Sequence, residues 1–412
     1  MRVRIRFLGG AGEIGRLGMV VEDVGVSVLF DYGVAPADPP LYPLPAPALD
    51  AAFLSHAHLD HSGMLPALAA AAVPIYQTPP TASMADLLLR DALKIARVEG
   101  YHLPWSKDDA ELVPQSTVLS NYGEVHDVGA LEVELASAGH IPGSTMFEVR
   151  GGSATLLFTG DMHVADSGLV AGAKPRPCDV LAIEGTYADR EHPDRKVVER
   201  DLVSAIEAVR ARGGVAILPA FAVGRTQEVL TILQGKGFKV WLDGMGKSVT
   251  KLMLQEPRYL RDPRKLARAF DEATLVSGHH VRRHVLASAD VVVTTSGMLE
   301  GGPVLWYMEK LKDDPRSAVF FTGFQVPGTG GRQLLDTRTL TLGSAVVPVA
   351  MELRKFDLSA HAGASELAAF IRGCNPKAVV VYHSTTREAL ARAMGDEFRF
   401  VLPETGVPFD VA

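Results

Sequence analysis

The seven residues Ser55-His56-Ala57-His58-Leu59-Asp60-His61 constrain this chain more than any other stretch. They follow a short apolar run, Ala51 to Leu54, and precede a helical pattern that continues through Gly-Met-Leu-Pro-Ala-Leu-Ala-Ala-Ala-Ala. On an extended segment, residues two apart project to one side, so His56 and His58 can grip one cation together. Asp60 and His61 sit where the chain turns into the helix and reach a neighbouring position. Imidazole and carboxylate donors suit zinc, with manganese or iron as alternatives. A lone histidine reads as an ordinary surface or core residue; three histidines and an aspartate within six residues read as ligands. A closed structural zinc site would need only four ligands from this run.

Further candidates argue against a closed site. Gly139-His140-Ile141-Pro142-Gly143-Ser144 follows a strand, with glycine on both sides where a loop can approach an ion. Phe158-Thr159-Gly160-Asp161 ends an apolar strand with an acid, where a buried charge is costly unless it meets a cation. Val379-Val380-Val381-Tyr382-His383 ends another buried strand with a histidine. Together these give enough ligands for two ions with open positions. The expected assignment puts His56, His58 and His140 on one ion and Asp60, His61 and His383 on the other, with Asp161 bridging them. Two metals that share a carboxylate imply hydrolysis: each lowers the pKa of bound water, and the pair can hold both attacking and leaving oxygens.

The rest of the chain frames these motifs. With 412 residues, it exceeds what one core usually serves, so two domains or one domain with a large insertion are expected. Cys178 and Cys374 are the only cysteines, which excludes a disulfide framework and a CxxC metal pair. No apolar run approaches the roughly 20 residues that span a bilayer. The N-terminus alternates Arg with apolar residues as a strand does, not as a signal peptide does, and a cytoplasmic location is expected. Strands are expected at Arg2 to Leu8, Met19 to Glu22, Val26 to Phe30, Leu131 to Leu135, Thr145 to Val149, Ala154 to Phe158 and Val180 to Ile183. From about Glu184 buried strands alternate with helices (Lys196 to Arg212, Val215 to Leu218, Arg225 to Leu233, Phe238 to Leu242, Val291 to Thr294, Ala318 to Thr322), the pattern of a parallel-sheet unit. The earlier chemistry returns near Val349.

The His-x-His-x-Asp-His run, the later single histidine and the strand-terminal aspartate resemble the metallo-β-lactamase superfamily. More specifically, the chain resembles its β-CASP branch, the nucleases that include ribonuclease J and the mRNA 3′-end cleavage nuclease. The branch-specific features are Ile183-Glu184-Gly185-Thr186-Tyr187, Asp357-Leu358-Ser359-Ala360-His361-Ala362 and the strand ending at His383. Pro219-Ala220-Phe221-Ala222-Val223-Gly224-Arg225 and Ser296-Gly297-Met298-Leu299-Glu300-Gly301-Gly302-Pro303 are similar to its inserted domain. The resemblance implies an α/β fold: an αββα metallo-β-lactamase sandwich over residues 1–187 and 350–412, with a β-CASP domain on a parallel sheet inserted over 188–349. It implies that Asp31 orients the ligand cluster. It also implies that His361 meets the scissile phosphate and assists the leaving group, that Glu184 keeps His361 protonated, and that Ser296, Gly297 and Ser359 contact substrate phosphate. The family often follows its last histidine with Gly-Glu; here Ser384-Thr385-Thr386 follows, which implies a different loop beside the second ion.

Two motifs are set aside. Gly10-Ala11-Gly12-Glu13-Ile14-Gly15 matches a dinucleotide-binding pattern, but Leu17 to Phe30 reads as a hairpin where that fold needs a helix. His279, His280 and His284 flank Arg282 and Arg283 with no acid adjacent until Asp290, so a solvated, basic helix is expected; Trp241, Trp306 and Tyr307 offer faces for base stacking, but most of them are expected in the core. The net charge of −7 argues at first against a nucleic-acid partner. Its distribution argues otherwise: residues 191–350 carry 22 Lys+Arg and 17 Asp+Glu, net +5, and the remainder is net −12. The expected function is therefore a two-metal phosphodiesterase, endonuclease or exonuclease, with zinc or manganese and with RNA or DNA lying between an acidic body and a basic clamp. A lactonase or thioesterase of the same superfamily is the alternative, and an inert nucleic-acid-binding subunit is disfavoured because every ligand position is filled.

Overall fold

A computed structural model describes residues 3–35 and 39–411. Strands Val3–Gly9, Gly18–Asp23 and Val26–Phe30 pair antiparallel in succession, and Phe409–Val411 joins the free edge of the first. The expected start at Arg2 lies outside the described residues. The turn between the second and third strands needs a left-handed residue at Gly25, whose φ is 82°. Ala51–Phe53, Ile75–Gln77 and Thr117–Leu119 then extend the sheet in parallel. Parallel neighbours require crossovers; helix Leu65–Ala70 lies in the one after Ala51–Phe53, and helices Pro79–Glu99 and Lys107–Ser116 in the one after Ile75–Gln77. The two helices within 79–116 were not expected from the sequence.

A second seven-stranded sheet runs in the order Arg399–Val401, Ala378–Tyr382, Val180–Glu184, Leu156–Phe158, Thr145–Arg150, Leu131–Ser137, Val125–Val128. The two sheets share one apolar core that includes Phe7, Phe30, Phe53, Phe147, Phe158 and Tyr382. Phe158 stacks on Phe30 and on Tyr382, with centroids 5.1 and 5.3 Å apart. The alternate residues Leu157, Leu181, Ile183, Val379 and Val381 face the other way and pack with Leu367, Phe370 and Ile371 of helix Ala364–Cys374. This is the sandwich expected from the resemblance: buried sheets, helices outside, and strand ends that meet along one rim.

The inserted unit is built on six parallel strands ordered Thr274–Leu275, Val240–Asp243, Val291–Thr294, Ala216–Pro219, Ala318–Phe321, Glu352–Lys355. Alternate residues of the central strands feed two separate cores, Leu218, Val293 and Phe320 on one face and Ile217, Val292 and Phe321 on the other. Burial on both faces explains the continuous apolar runs. The chain divides into Met1–Asp166, Val170–Glu191 and Ala360–Ala412 as one unit, and Ser167–Leu169 with His192–Ser359 as the other. The inserted unit thus begins at 192 and ends at 359, beside the expected 188 and 349. It includes Glu352–Lys355, which pairs with Ala318–Phe321 and so completes the inserted sheet.

Trp241 and Tyr307 are buried in the inserted unit, as expected. Residues 279–281 form a 3-10 turn and Arg282–Ser288 a helix. Arg282 is not a solvated charge: its Nε donates to the buried Asp243 Oδ2 at 2.7 Å, and the Tyr307 hydroxyl donates to the same oxygen at 3.0 Å.

Candidate metal centre

Five strand ends build the centre. Strand Ala51–Phe53 runs out through Ser55 and His56 into helix Leu59–Ser62, which carries Asp60 and His61. Gly33 crosses so close beneath this turn that a Cβ there would lie 1.7 Å from the Asp60 carbonyl oxygen. The Tyr32 amide donates to the His61 carbonyl at 2.7 Å. His140 stands in the loop after Leu131–Ser137, and Gly139 and Gly143, with φ of 71° and 88°, shape that loop. A Cβ on Gly143 would meet Pro80 Cγ at 2.5 Å, and the Thr78 and Thr81 hydroxyls donate to its carbonyl. Asp161 follows Leu156–Phe158, Glu184 ends Val180–Glu184, and His383 follows Ala378–Tyr382.

These side chains converge. His56, His58, His140 and Asp161 each place one donor atom within 4.8 Å of the others, and Asp60, His61 and His383 do the same. His58 Nδ1 lies 3.0 Å from His56 Nε2 and 3.3 Å from His140 Nε2. Asp161 stands between the groups: its Oδ2 is 3.7 Å from His56 Nε2 and 3.3 Å from His61 Nε2, while Oδ1 is 3.4 Å from His383 Nδ1. Both His61 Nε2 and Asp161 Oδ1 are buried without a well-formed hydrogen bond. Buried polar atoms are normally satisfied, so two such orphans within a knot of donors fit divalent cations.

Surrounding residues aim the donors. Asp31, with φ 57°, accepts from the Ser55 amide at 2.6 Å and from the Ser55 hydroxyl at 2.7 Å, and its Oδ2 lies 2.7 Å from His61 Nδ1. Ser55 Oγ also lies 3.0 Å from His56 Nδ1. The Ala360 carbonyl is 2.8 Å from His140 Nδ1. Each partner fixes one ring nitrogen and leaves the other for the centre, as metal-binding histidines require. The glycine loop closes the floor: the His383 amide donates to the Gly10 carbonyl at 2.7 Å, and the Gly15 amide lies 3.1 Å from His383 Nε2. Arg387, just beyond Ser384-Thr385-Thr386, donates to the Ala11 carbonyl at 2.9 Å and holds that loop down. None of Ser55, Gly33 and Arg387 was expected to support the centre; of the three, only Ser55, inside the histidine run, carried a signal.

The third group is Asp161, Glu184 and His361. His361 Nδ1 is 2.8 Å from Glu184 Oε1, and its Nε2 is 3.9 Å from Asp161 Oδ2. Glu184, fully buried, also accepts from the Met162 amide at 3.1 Å and the Thr186 amide at 2.9 Å. Burial disfavours a charged His361, but the Glu184 and Asp161 carboxylates outweigh it, and its pKa is pushed up to about 9. Burial and the neighbouring His61 hold His56 well below the ordinary histidine range, and burial and His361 do the same to His140. Burial opposes ionisation of Asp161, yet His61, His383 and His361 overcome it and keep the acid well below its usual range. Neutral imidazoles and an ionised carboxylate are the forms that bind metal. His61 is raised instead, because Asp161, Asp31 and Asp60 outweigh its burial; a cation would displace that proton.

The chain also resembles known sequences. Residues 14–205 match the sequence profile of the metallo-beta-lactamase superfamily. Residues 226–334 match the Beta-Casp domain, and 346–398 the Zn-dependent metallo-hydrolase RNA specificity domain. The chain is 34% identical to the "Probable RNase MJ4" of Methanocaldococcus jannaschii, across 94% of both chains. It is 33% identical to the "RNase aCSPSF2" of Saccharolobus solfataricus, across 98% of this chain and 85% of that one. With the "Transcription termination factor FttA" of M. jannaschii it shares 31% identity across 94% of this chain and 68% of that one. A solved structure of a protein of unknown function from Enterococcus faecalis superposes over all of both chains with a TM-score of 0.62 at 16% identity, a likeness of fold. The chain therefore belongs to the β-CASP branch of the metallo-β-lactamase superfamily of metallo-hydrolases.

Proposed function

We propose that the chain hydrolyses phosphodiester bonds of RNA at a centre of two divalent ions, zinc in the first instance. The observation that carries this reading is Asp161, whose carboxylate reaches both donor groups: Oδ2 is 3.7 Å from His56 and 3.3 Å from His61, and Oδ1 is 3.4 Å from His383, while His361 stands 3.9 Å away with its own buried acid. His56, His58 and His140 would hold one ion and Asp60, His61 and His383 the other, with Asp161 serving both. Bound there, the ions would supply an activated water and polarise the phosphate. Asp31 keeps a proton on His61 Nδ1, so that Nε2 is the free donor. Glu184 holds His361 protonated, and the imidazolium donates from Nε2 to the departing oxygen. Ser296, Gly297 and Ser359 are proposed to contact phosphate groups of the substrate. The relatives named as RNases and the match to an RNA specificity domain support RNA.

The test is cleavage of labelled single-stranded RNA, with DNA of the same sequence for comparison, by metal-loaded protein. Cleavage that a chelator abolishes and that His361→Ala lowers by about 10²- to 10⁴-fold is expected. Hydrolysis of a lactone or thioester with the oligonucleotides left intact would overturn the reading.

A further inference from the structure

Among the described phenylalanine, tyrosine and tryptophan side chains, only Phe221 is exposed, at 36%. A single exposed apolar side chain is commonplace, but this one stands at a built position. It follows Ala216–Pro219, whose sheet neighbours are Val291–Thr294 and Ala318–Phe321. The loops leaving those three parallel strands at their carboxyl ends carry Phe221, Ser296-Gly297 and Gly323. In open α/β sheets the carboxyl ends of the strands are where ligands bind.

The two glycines are what make room for the ring. A Cβ on Gly297 would lie 2.9 Å from the Phe221 amide nitrogen and 3.4 Å from its Cδ1, and one on Gly323 would lie 3.3 Å from its Cε2. The Phe221 carbonyl accepts from both the amide and the hydroxyl of Thr226, at 3.1 and 2.7 Å, which fixes the loop beneath the ring. Gln325, 2% exposed, donates to the Gly297 carbonyl at 3.1 Å and holds that loop in place. At the same sheet edge, Lys355 Nζ stands 5.8 Å from the Phe324 ring centroid. A rigid ring presented to solvent, small residues at its edges and a cation on the same edge is the arrangement that holds single-stranded nucleic acid by stacking.

We infer that Phe221 is a stacking platform for one unpaired base of the RNA substrate, a subsite carried wholly by the inserted unit. This rests on the reading of the chain as an RNA nuclease. It is tested by binding a fluorescent single-stranded RNA to metal-loaded protein carrying His361→Ala, which holds the substrate uncleaved. Adding Phe221→Ala is expected to weaken binding on the order of tenfold, and Phe221→Trp to restore it with indole emission quenched by the RNA. An oligonucleotide of abasic residues should bind equally well with and without the Phe221→Ala change. Equal binding of the base-bearing RNA by the Phe221→Ala protein, with its melting temperature unchanged, would overturn the platform alone. Failure of the wild-type chain to cleave any RNA would instead overturn the nuclease reading.

Discussion

At the scale of single residues, the centre depends on pairs in which one member sets the protonation of the other. His361 and Glu184 are the clearest case, because burial alone would leave the ring neutral and the 2.8 Å contact reverses that. In metal-free protein the raised pKa of His361 stabilises the fold fully below the ordinary histidine value of roughly 6.5. That contribution is lost as pH rises through about 9. Denaturant titrations of metal-free protein between those values should show stability falling with pH, and Glu184→Gln should flatten the dependence; an unchanged slope in that variant would contradict the pairing. The proposed ligands were legible as candidates because each stands in a short motif beside a strand end. The supports were not: Ser55, Gly33 and Arg387 act through hydrogen bonds or near-contacts to residues distant in sequence, and spacing does not carry that information.

At the scale of elements, the strand ends are placed by backbone crossings that tolerate little change. The Gly33 Cα and the Asp60 carbonyl leave no space for a methyl group. Gly33→Ala should therefore push the Asp60-His61 turn outward, cost about 1–3 kcal/mol of stability and loosen the ion held by Asp60, His61 and His383. Metal titration with a chromophoric chelator would show one weakened equivalent and one unchanged; two unchanged equivalents would contradict the geometry. The central strands of both sheets were readable as alternating or continuous apolar runs, whereas the short strands Ile75–Gln77, Thr117–Leu119, Val125–Val128, Arg399–Val401 and Phe409–Val411 were not expected. Helices Pro79–Glu99 and Lys107–Ser116 were not, because their buried stripes are thin and include Pro80, Thr81, Ala85, Ala96 and Ala110 in place of large apolar residues. Edge strand Glu352–Lys355 was missed for a related reason: its sequence, Glu-Leu-Arg-Lys, is mostly charged, and only its pairing with Ala318–Phe321 makes it part of the inserted sheet.

At the scale of the whole molecule, the chain divides its chemistry between two units of opposite charge. The sandwich collects every proposed metal ligand with Glu184 and His361, and the inserted unit carries the basic excess, the Ser296-Gly297 turn and Phe221. The overall charge of −7 averages over that division, and much of the acidity at the centre is what a pair of cations would neutralise. No helix of the described residues is long and apolar enough to cross a membrane. The central claim is that Asp161 joins two ions into one hydrolytic centre. The most direct measurement is the metal content of purified wild-type and Asp161→Ala protein beside their cleavage of single-stranded RNA. The account predicts two divalent ions per wild-type chain, fewer in the variant, and cleavage lost with them. Full metal content with undiminished cleavage in Asp161→Ala would contradict it.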